Sequence, residues 1–363
     1  MSVNPILCEE LSRALIIKLR HHGDVLLSTP VFAALKHAAP QCEIDALIYD
    51  ETAEMLSGHP DIAQIHTIGR NWKRLSAAPR IQQEWCLFNR LRARRYDLII
   101  HLTDSWRGFW LTRGLRPKFS VTSFSPLHPP SKLWASTFSH LAPTPPFGNR
   151  HTVESHLDVL RVLGIQPTAV VRKLEFHPGA TAHDSVREML ATHGVLAGKI
   201  IHIHPASRWM FKAWTIDGYA EVISNLAERG FQPVLTTGPA PRETALAAEI
   251  ISRCRIPPID LSGRLTLKQL GAVIASARLS ICVDSVPMHL AAALGTPVVA
   301  LFGPSNEHEW GPWQVPQRVL VSDHACRPCR LDGCGGGKVS ECLTVLRPKT
   351  VLAAINSLLV ETA

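Results

Sequence analysis

The chain predicts an α/β protein built from two doubly wound domains, and three observations carry that reading. Its 363 residues exceed what one ordinary core holds, so two domains of about 150 to 200 residues are expected. Hydrophobic residues make up 46% of the chain, enough to bury two cores. Short apolar runs alternate with stretches of helical periodicity in two successive series, the pattern of parallel sheets covered by helices.

The first series reads strand Ala14 to Leu19, helix Val25 to Ala38, strand Ile44 to Ile48, helix Ile81 to Arg94 and strand Leu98 to His101. The pattern then weakens. Between Ser123 and Arg150 stand Pro126, Pro129, Pro130, Pro143, Pro145 and Pro146, too many for regular structure, so a long loop or mobile flap is expected. Helical periodicity returns from Val153 to Leu163, and Gln166 to Gly179 reads as the crossing between domains. The second series runs strand Lys199 to His204, helix Ile216 to Arg229, strand Pro233 to Thr236, helix Arg242 to Ser252 and helix Leu267 to Ala277. Leu279 to Ser305 then reads strand, tight turn, helix, strand: Pro287 suits the first turn of a helix, and Gly295 stops it. Val351 to Val360 is a closing helix, and no internal sequence repeat is visible.

Composition narrows the classes. No uninterrupted apolar run approaches the roughly 18 residues of a membrane span, and Asn4, Pro5, Glu9 and Glu10 precede any apolar stretch, so neither a span nor a signal peptide is expected. Thirty-eight Lys and Arg against thirty Asp and Glu give a net charge of +8, which implies an acidic partner such as nucleic acid, anionic lipid or a sugar phosphate. Nine cysteines without an export signal point to reduced thiols and a cytoplasmic setting. Cys326, Cys329, Cys334 and Cys342 are spaced C-x2-C-x4-C-x7-C around Gly335, Gly336 and Gly337. Four thiolates can surround zinc, but the usual second C-x2-C is missing, so free thiols are the default and no metal site is assigned.

The candidate chemistry sits at strand ends, where open α/β sheets bind ligands. The first strand leads into Arg20, His21, His22, Gly23 and Asp24. Gly23 permits a tight turn and close approach, and Asp24 can accept a proton from a hydroxyl held against it; a helix cap is the competing role. The turn matches neither G-x-G-x-x-G nor the Lys-bearing Walker pattern, which argues against a dinucleotide enzyme or a P-loop NTPase. After the strand ending at His204, Ser207, Arg208 and Lys212 stand among Trp209, Phe211 and Trp214, a set able to neutralise a diphosphate or to stack on single-stranded nucleic acid. Glu243 follows another strand end and can accept from ribose hydroxyls. Asp284, Ser285 and His289 open the helix of the 279–305 segment, whose terminus favours an anion; a cap is again the alternative for Asp284 or Ser285. A basic patch of Lys73, Arg74, Arg80, Arg90, Arg92, Arg94 and Arg95, with Trp72 and Trp85, is mostly a solvated face, part of it suited to an acidic acceptor or membrane headgroups.

Three motifs together, I-I-K-L-R-H-H-G-D-V-L-L-S-T-P at Ile16 to Pro30, H-P-A-S-R-W-M-F-K-A-W at His204 to Trp214 and D-S-V-P-M-H-L-A-A-A-L-G at Asp284 to Gly295, resemble the ADP-heptose:lipopolysaccharide heptosyltransferases, glycosyltransferase family 9. The likeness is strongest to members that add the third heptose of the inner core. It implies a GT-B fold, two Rossmann-like domains facing a central cleft: an acceptor-binding domain over 1–170, a nucleotide-sugar domain over 171–347, and a last helix, about 348–363, packing back on the first. It further implies that Asp24 is the catalytic base for inverting transfer of heptose from ADP-heptose to a heptose of a lipid-linked core acceptor. Ser207, Arg208 and Lys212 would meet the donor phosphates, Glu243 the ribose, Leu265 the adenine, and Asp284, Ser285 and His289 the sugar and phosphates. His21, His22, Gly23, Lys73, Arg74 and Arg107 are the acceptor-binding candidates.

The resemblance implies no cofactor and no metal, a cytoplasmic enzyme peripheral at the inner membrane, and no nucleic-acid partner. Two departures stand out: Ser285 and Val286 replace the Thr-Gly of many relatives, and Arg208 stands where a small hydroxyl residue is common. The competing readings are transfer of the first or second heptose, a basic nucleic-acid-binding module, and a zinc-dependent interaction protein built on the four cysteines.

Overall fold

The computed structural model describes residues 6–145, 150–196 and 198–362; Asn4, Pro5 and Pro146, used in the reading above, lie outside the described residues. The chain divides into two compact units, Met1–Glu175 and Phe176–Ala363.

In the first unit, β1 (Arg13–Ile17), β2 (Glu43–Tyr49), β3 (Gln64–Ile68), β4 (Leu98–His101), β5 (Phe119–Phe124) and β6 (His140–Pro143) form one parallel sheet in the order β3-β2-β1-β4-β5-β6. Its helices are α1 (His22–Leu26), α2 (Thr29–Ala38), α3 (Ala77–Arg94), α4 (Trp106–Leu115), the short α5 (Lys132–Ala135) and α6 (Thr152–Arg161). Helices cover both faces of such a sheet, so β1 and β4 are buried almost throughout and read as continuous apolar runs rather than alternating ones.

Two expectations change here. The helix expected over Val25 to Ala38 is broken at Leu27 and Ser28, because Pro30 has no N–H to continue the ladder and Ser28 Oγ donates to the Val25 carbonyl at 2.7 Å. The loop expected between Ser123 and Arg150 holds α5 and β6. Proline is tolerated because β6 is the sheet edge and Pro143 is its last residue.

In the second unit, β7 (Ile200–His204), β8 (Gln232–Leu235), β9 (Ile259–Asp260), β10 (Leu279–Val283), β11 (Val298–Leu301) and β12 (Gln317–Leu320) form a parallel sheet ordered β12-β11-β10-β7-β8-β9. Its helices are α7 (Ala180–Ala191), α8 (Ile216–Glu228), α9 (Pro241–Arg253), α10 (Leu267–Ser276), α11 (Val286–Leu294), the short α12 (Glu307–Trp310) and α13 (Glu341–Thr344), and α14 (Pro348–Glu361). Gly295 ends α11 in the left-handed conformation, φ 73°.

Both sheets share one winding order: the first strand is central, the next two lie to one side and the last three to the other. The winding reverses between β1 and β4, and again between β7 and β10, and those reversals open the crevices where such sheets hold ligands.

Val351, Ile355, Leu358 and Leu359 of α14 join Ile201, Tyr219 and Leu226 in the core of the second unit, where α14 lies against α8, β11 and β12. Burying each of these four side chains stabilises that packing by about 2 kcal/mol. Trp214 Nε1 donates to the Leu346 carbonyl at 3.0 Å, tying the segment before α14 to the loop after β7. Among the described residues no helix is long and apolar enough to cross a membrane.

Candidate active site

In the first unit β1 delivers the chain to the crevice beside β4. Leu19 N–H donates to Thr103 Oγ1 at 3.1 Å, and Arg20 pairs with Asp104 at 2.6 Å, so the segments after the two strands are joined. His21 occupies the N-cap of α1 without a side-chain cap bond, and Asp24 lies in the first turn. The cap role for Asp24 therefore does not hold. Its carboxylate is half-buried and has no hydrogen bond or ion pair among the described residues. Gly23 sits inside α1 with an ordinary helical backbone, so the tight-turn argument does not apply to it.

Lys18, at the end of β1, is buried. Burial pushes its ammonium down to about 8, against the pull of the Asp24 and Asp104 carboxylates. Its Nζ donates to the Leu102 carbonyl at 3.1 Å and to His156 Nε2 at 2.8 Å. His156 Nδ1 must then donate to the Leu27 carbonyl, 3.0 Å away, which fixes its tautomer and links β1, α6 and the end of α1. Burial, then the Lys18 charge, holds His156 neutral, well below its usual range. The Asp24 turn is thus anchored from beneath by a buried cation and a neutral imidazole.

The acceptor candidates fall into two groups. His21 Nδ1 faces Arg70 at 3.2 Å, and His22 Nε2 bonds the Glu51 carbonyl at 2.8 Å, both beside Asp24 in the chain. Lys73 and Arg74 are exposed on the 3-10 turn Arg70–Arg74, while Arg107 pairs with Glu84 at 2.5 Å and lies over the Trp72 ring at 6.0 Å.

In the second unit Lys212 Nζ meets Asp284 Oδ2 at 2.5 Å, joining the loop after β7 to the turn after β10 across the crevice. Neither Asp284 nor Ser285 caps α11 through its side chain: Ser285 is the N-cap residue, but its hydroxyl donates to the Val283 carbonyl at 3.2 Å. The N–H groups opening α11 are thus left without a side-chain cap, the condition for anion binding at a helix start. His289 is buried one turn further on. Beneath the loop, burial holds His204 down to about 3, and it shares Thr236 with His202 at 2.9 and 2.8 Å.

Ser207 and Arg208 line a cavity of about 600 Å³ with Trp209, Met210, Phe211 and Glu243. Ser207 Oγ accepts from the Trp209 N–H at 3.3 Å, and the Arg208 guanidinium stands 5.4 Å from the Trp209 ring centre. Glu243 Oε2 accepts from the Gly238 N–H at 2.9 Å. A Cβ at Gly238 would fall 2.8 Å from that oxygen, so only glycine lets the carboxylate close on the turn after β8. Leu265 does not line this cavity; it is half-buried against the core around Ala182 and Val186. Ser207, Arg208 and Glu243 are therefore brought together, Lys212 is brought to Asp284, and Leu265 to neither group.

Arg242, Asp332 and Lys338 also line the cavity and were missed in the sequence. Asp332 and Lys338 pair at 2.9 Å, and Ser340 Oγ donates to the Phe211 carbonyl at 2.6 Å, so the cysteine-bearing loop is a wall of the cavity. The signal was the Gly335 to Lys338 run, read above only as spacing between cysteines. All nine cysteines are free thiols, and burial pushes Cys342 up to about 11. Among the described residues, the three donors that converge within 4.8 Å are His59, Asp61 and Glu175; the four clustered cysteines do not reach that spacing.

Two parallel sheets of one winding order, with polar groups gathered at the carboxyl ends of their central strands, are the architecture of the GT-B fold. Residues 85–339 match the model of Glycosyltransferase family 9 (heptosyltransferase), and the chain belongs to that family. It is 38% identical to lipopolysaccharide heptosyltransferase 3 of Escherichia coli over 343 residues, covering 94% of this chain and 97% of that protein. The solved structure of a family 9 glycosyl transferase from Veillonella parvula DSM 2008 shares the fold with a TM-score of 0.85 at 24% identity, covering 99% of this chain and 100% of that one. The E. coli ADP-heptose lps heptosyltransferase II shares it with a TM-score of 0.75 at 21% identity, over 96% and 99% of the two chains.

Proposed function

We propose that this glycosyltransferase moves L-glycero-D-manno-heptose from ADP-heptose to the second heptose of a lipopolysaccharide inner core, with inversion and with Asp24 as general base. The observation that carries the base assignment is the Asp24 carboxylate, set at the winding reversal of the first sheet with no hydrogen bond or ion pair among the described residues. In this reading Asp24 takes the proton of an acceptor hydroxyl as its oxygen forms the new bond to the anomeric carbon. The bond from that carbon to the diphosphate breaks on the opposite side, its electron pair leaves with ADP, and the configuration inverts. Arg208, Lys212 and the opening N–H groups of α11 meet the leaving charge without a resident metal. Glu243 accepts from the ribose, and Asp284, Ser285 and His289 orient the sugar and phosphates. Leu265, half-buried at the edge of its core, meets the adenine. His21, His22, Gly23, Lys73, Arg74 and Arg107 are assigned to the acceptor.

The relatives named for this chemistry support the donor and the third-heptose acceptor. Transfer of the first or second heptose is the competing assignment, and an acceptor panel with a shared donor separates them. The same reading places the chain at the cytoplasmic face of the inner membrane as a peripheral protein, because its acceptor is lipid-linked. The test is ADP release from ADP-heptose with a core acceptor lacking the third heptose. No release, with the purified folded chain, overturns the reading.

A further inference from the structure

The face shared by α3 and α4 carries more exposed tryptophan and unpaired arginine than a solvated surface requires. Of the eighteen residues of α3 only Leu87 and Leu91 are buried, both in its second half, so its first half buries no side chain. Ile81 and Trp85 on α3 are 67% and 61% exposed, and Trp106 and Trp110 on α4 are 56% and 57% exposed. The surface is continuous across the two helices. Trp85 stacks on Phe88 at 6.2 Å, and Phe88 lies so close to α4 that a Cβ on Gly114 would fall 2.9 Å from its ring. Gly114 in turn lines a cavity of about 580 Å³ with Arg92, Trp110, Arg113 and Arg116.

The charge of this face has one sign. Arg80, Arg90, Arg92, Arg95 and Arg116 have no ion pair among the described residues, and Arg113 has only the Thr137 hydroxyl, at 3.1 Å. The one acid of α3, Glu84, is taken by Arg107, and α4 has none.

We infer that the α3 and α4 face docks on an anionic phospholipid surface, its arginines on the headgroup phosphates and Ile81, Trp85 and Trp110 at the headgroup boundary. Tryptophan settles at that boundary, guanidinium groups grip phosphate with paired hydrogen bonds, and each basic residue near an anionic leaflet adds to the attraction. A single-stranded nucleic acid would use the same arginines and stack on the tryptophans. It would leave Ile81 in water, whereas a bilayer buries that side chain, and this favours the membrane. The inference rests on the proposed function only for the identity of the membrane; the face itself stands on its own residues.

The test is flotation of the full chain with vesicles of phosphatidylcholine alone or mixed with phosphatidylglycerol, with an oligonucleotide as competitor. The wild type is expected to bind the mixed vesicles only, with a blue shift of tryptophan fluorescence. Arg92→Glu with Arg113→Glu should weaken that binding roughly tenfold or more, and Trp85→Ser with Trp110→Ser should remove most of the blue shift. Lys349→Glu, an exposed charge on the second unit, should change neither. ADP release with a water-soluble core fragment should be the same in all variants, so loss of docking is read apart from loss of catalysis. Binding of the double variants equal to wild type, binding without preference for phosphatidylglycerol, or displacement from vesicles by the oligonucleotide overturns the inference.

Discussion

Each unit carries a cation in behind its first strand and an aspartate in behind its fourth, and pairs the two across the crevice: Arg20 with Asp104 at 2.6 Å, Lys212 with Asp284 at 2.5 Å. The first pair is exposed and the second largely buried. Beyond its pair the first unit's crevice also bears Asp24, with no hydrogen bond or ion pair among the described residues, while the second unit's site holds further cations and a cavity. In sequence Asp24 and Asp284 look alike, each an acid between an apolar strand and a helix. Position in the sheet makes Asp104 the counterpart of Asp284 and leaves Asp24 without one. Shared topology therefore sets where charge gathers, and partnering decides whether a carboxylate is reserved for structure or available to a substrate.

The largest effect expected from this contrast is at Asp24. Asp24→Asn should lower kcat about 10³-fold with only a small drop in melting temperature, since among the described residues the carboxylate makes no hydrogen bond or ion pair and only its attraction for Lys18 is lost. A variant as active as wild type removes the base assignment. Lys212→Met comes next: kcat/KM should fall about 100-fold with a raised KM for the donor, and the fold should lose about 3 kcal/mol because Asp284 stays buried without its cation. Arg20→Met, breaking the exposed pair, should cost less than about 1 kcal/mol when both variants are unfolded in urea. Equal losses from the two would erase the distinction between the crevices.

A third expectation treats the units alike. Burial holds His101 of the first and His204 of the second down to about 3, against an ordinary value of 6.5. The unfolded chain therefore binds these protons first, so the stability they represent is complete above pH 6.5 and is lost as the pH falls toward 3. Each should remove about 1.4 kcal/mol per pH unit over that window. Urea midpoints that stay level between about pH 7 and 5 would contradict it. The smallest expected effect is that of a chelator: if cations of the chain meet the leaving diphosphate, EDTA should leave the rate of ADP release unchanged, and a loss restored by a divalent ion would overturn that assignment.

Much of this architecture was legible in the chain. The strand and helix that open the 279–305 reading are β10 and α11, and Gly295 stops that helix, because a fully buried parallel strand and a left-handed cap each leave a local mark. The edge strand β6 was not legible, since edge position excuses a proline that would disqualify a central strand. The same limit applied to the site. Lys212 and Asp284 were each visible, but their pairing is a contact between distant segments that no local pattern encodes. Lys338 and Asp332 were hidden by the cysteines around them, whose spacing drew the eye to metal chemistry.

The indole of Trp214 ties the segment before α14 to the loop that carries the proposed donor ligands. By holding the Leu346 carbonyl it makes α14 a strut for the loop that bears Ser207, Arg208 and Lys212. Trimming that helix, or fusing a bulky tag where it tilts the strut, should loosen the grip on the nucleotide long before it unfolds the sheet.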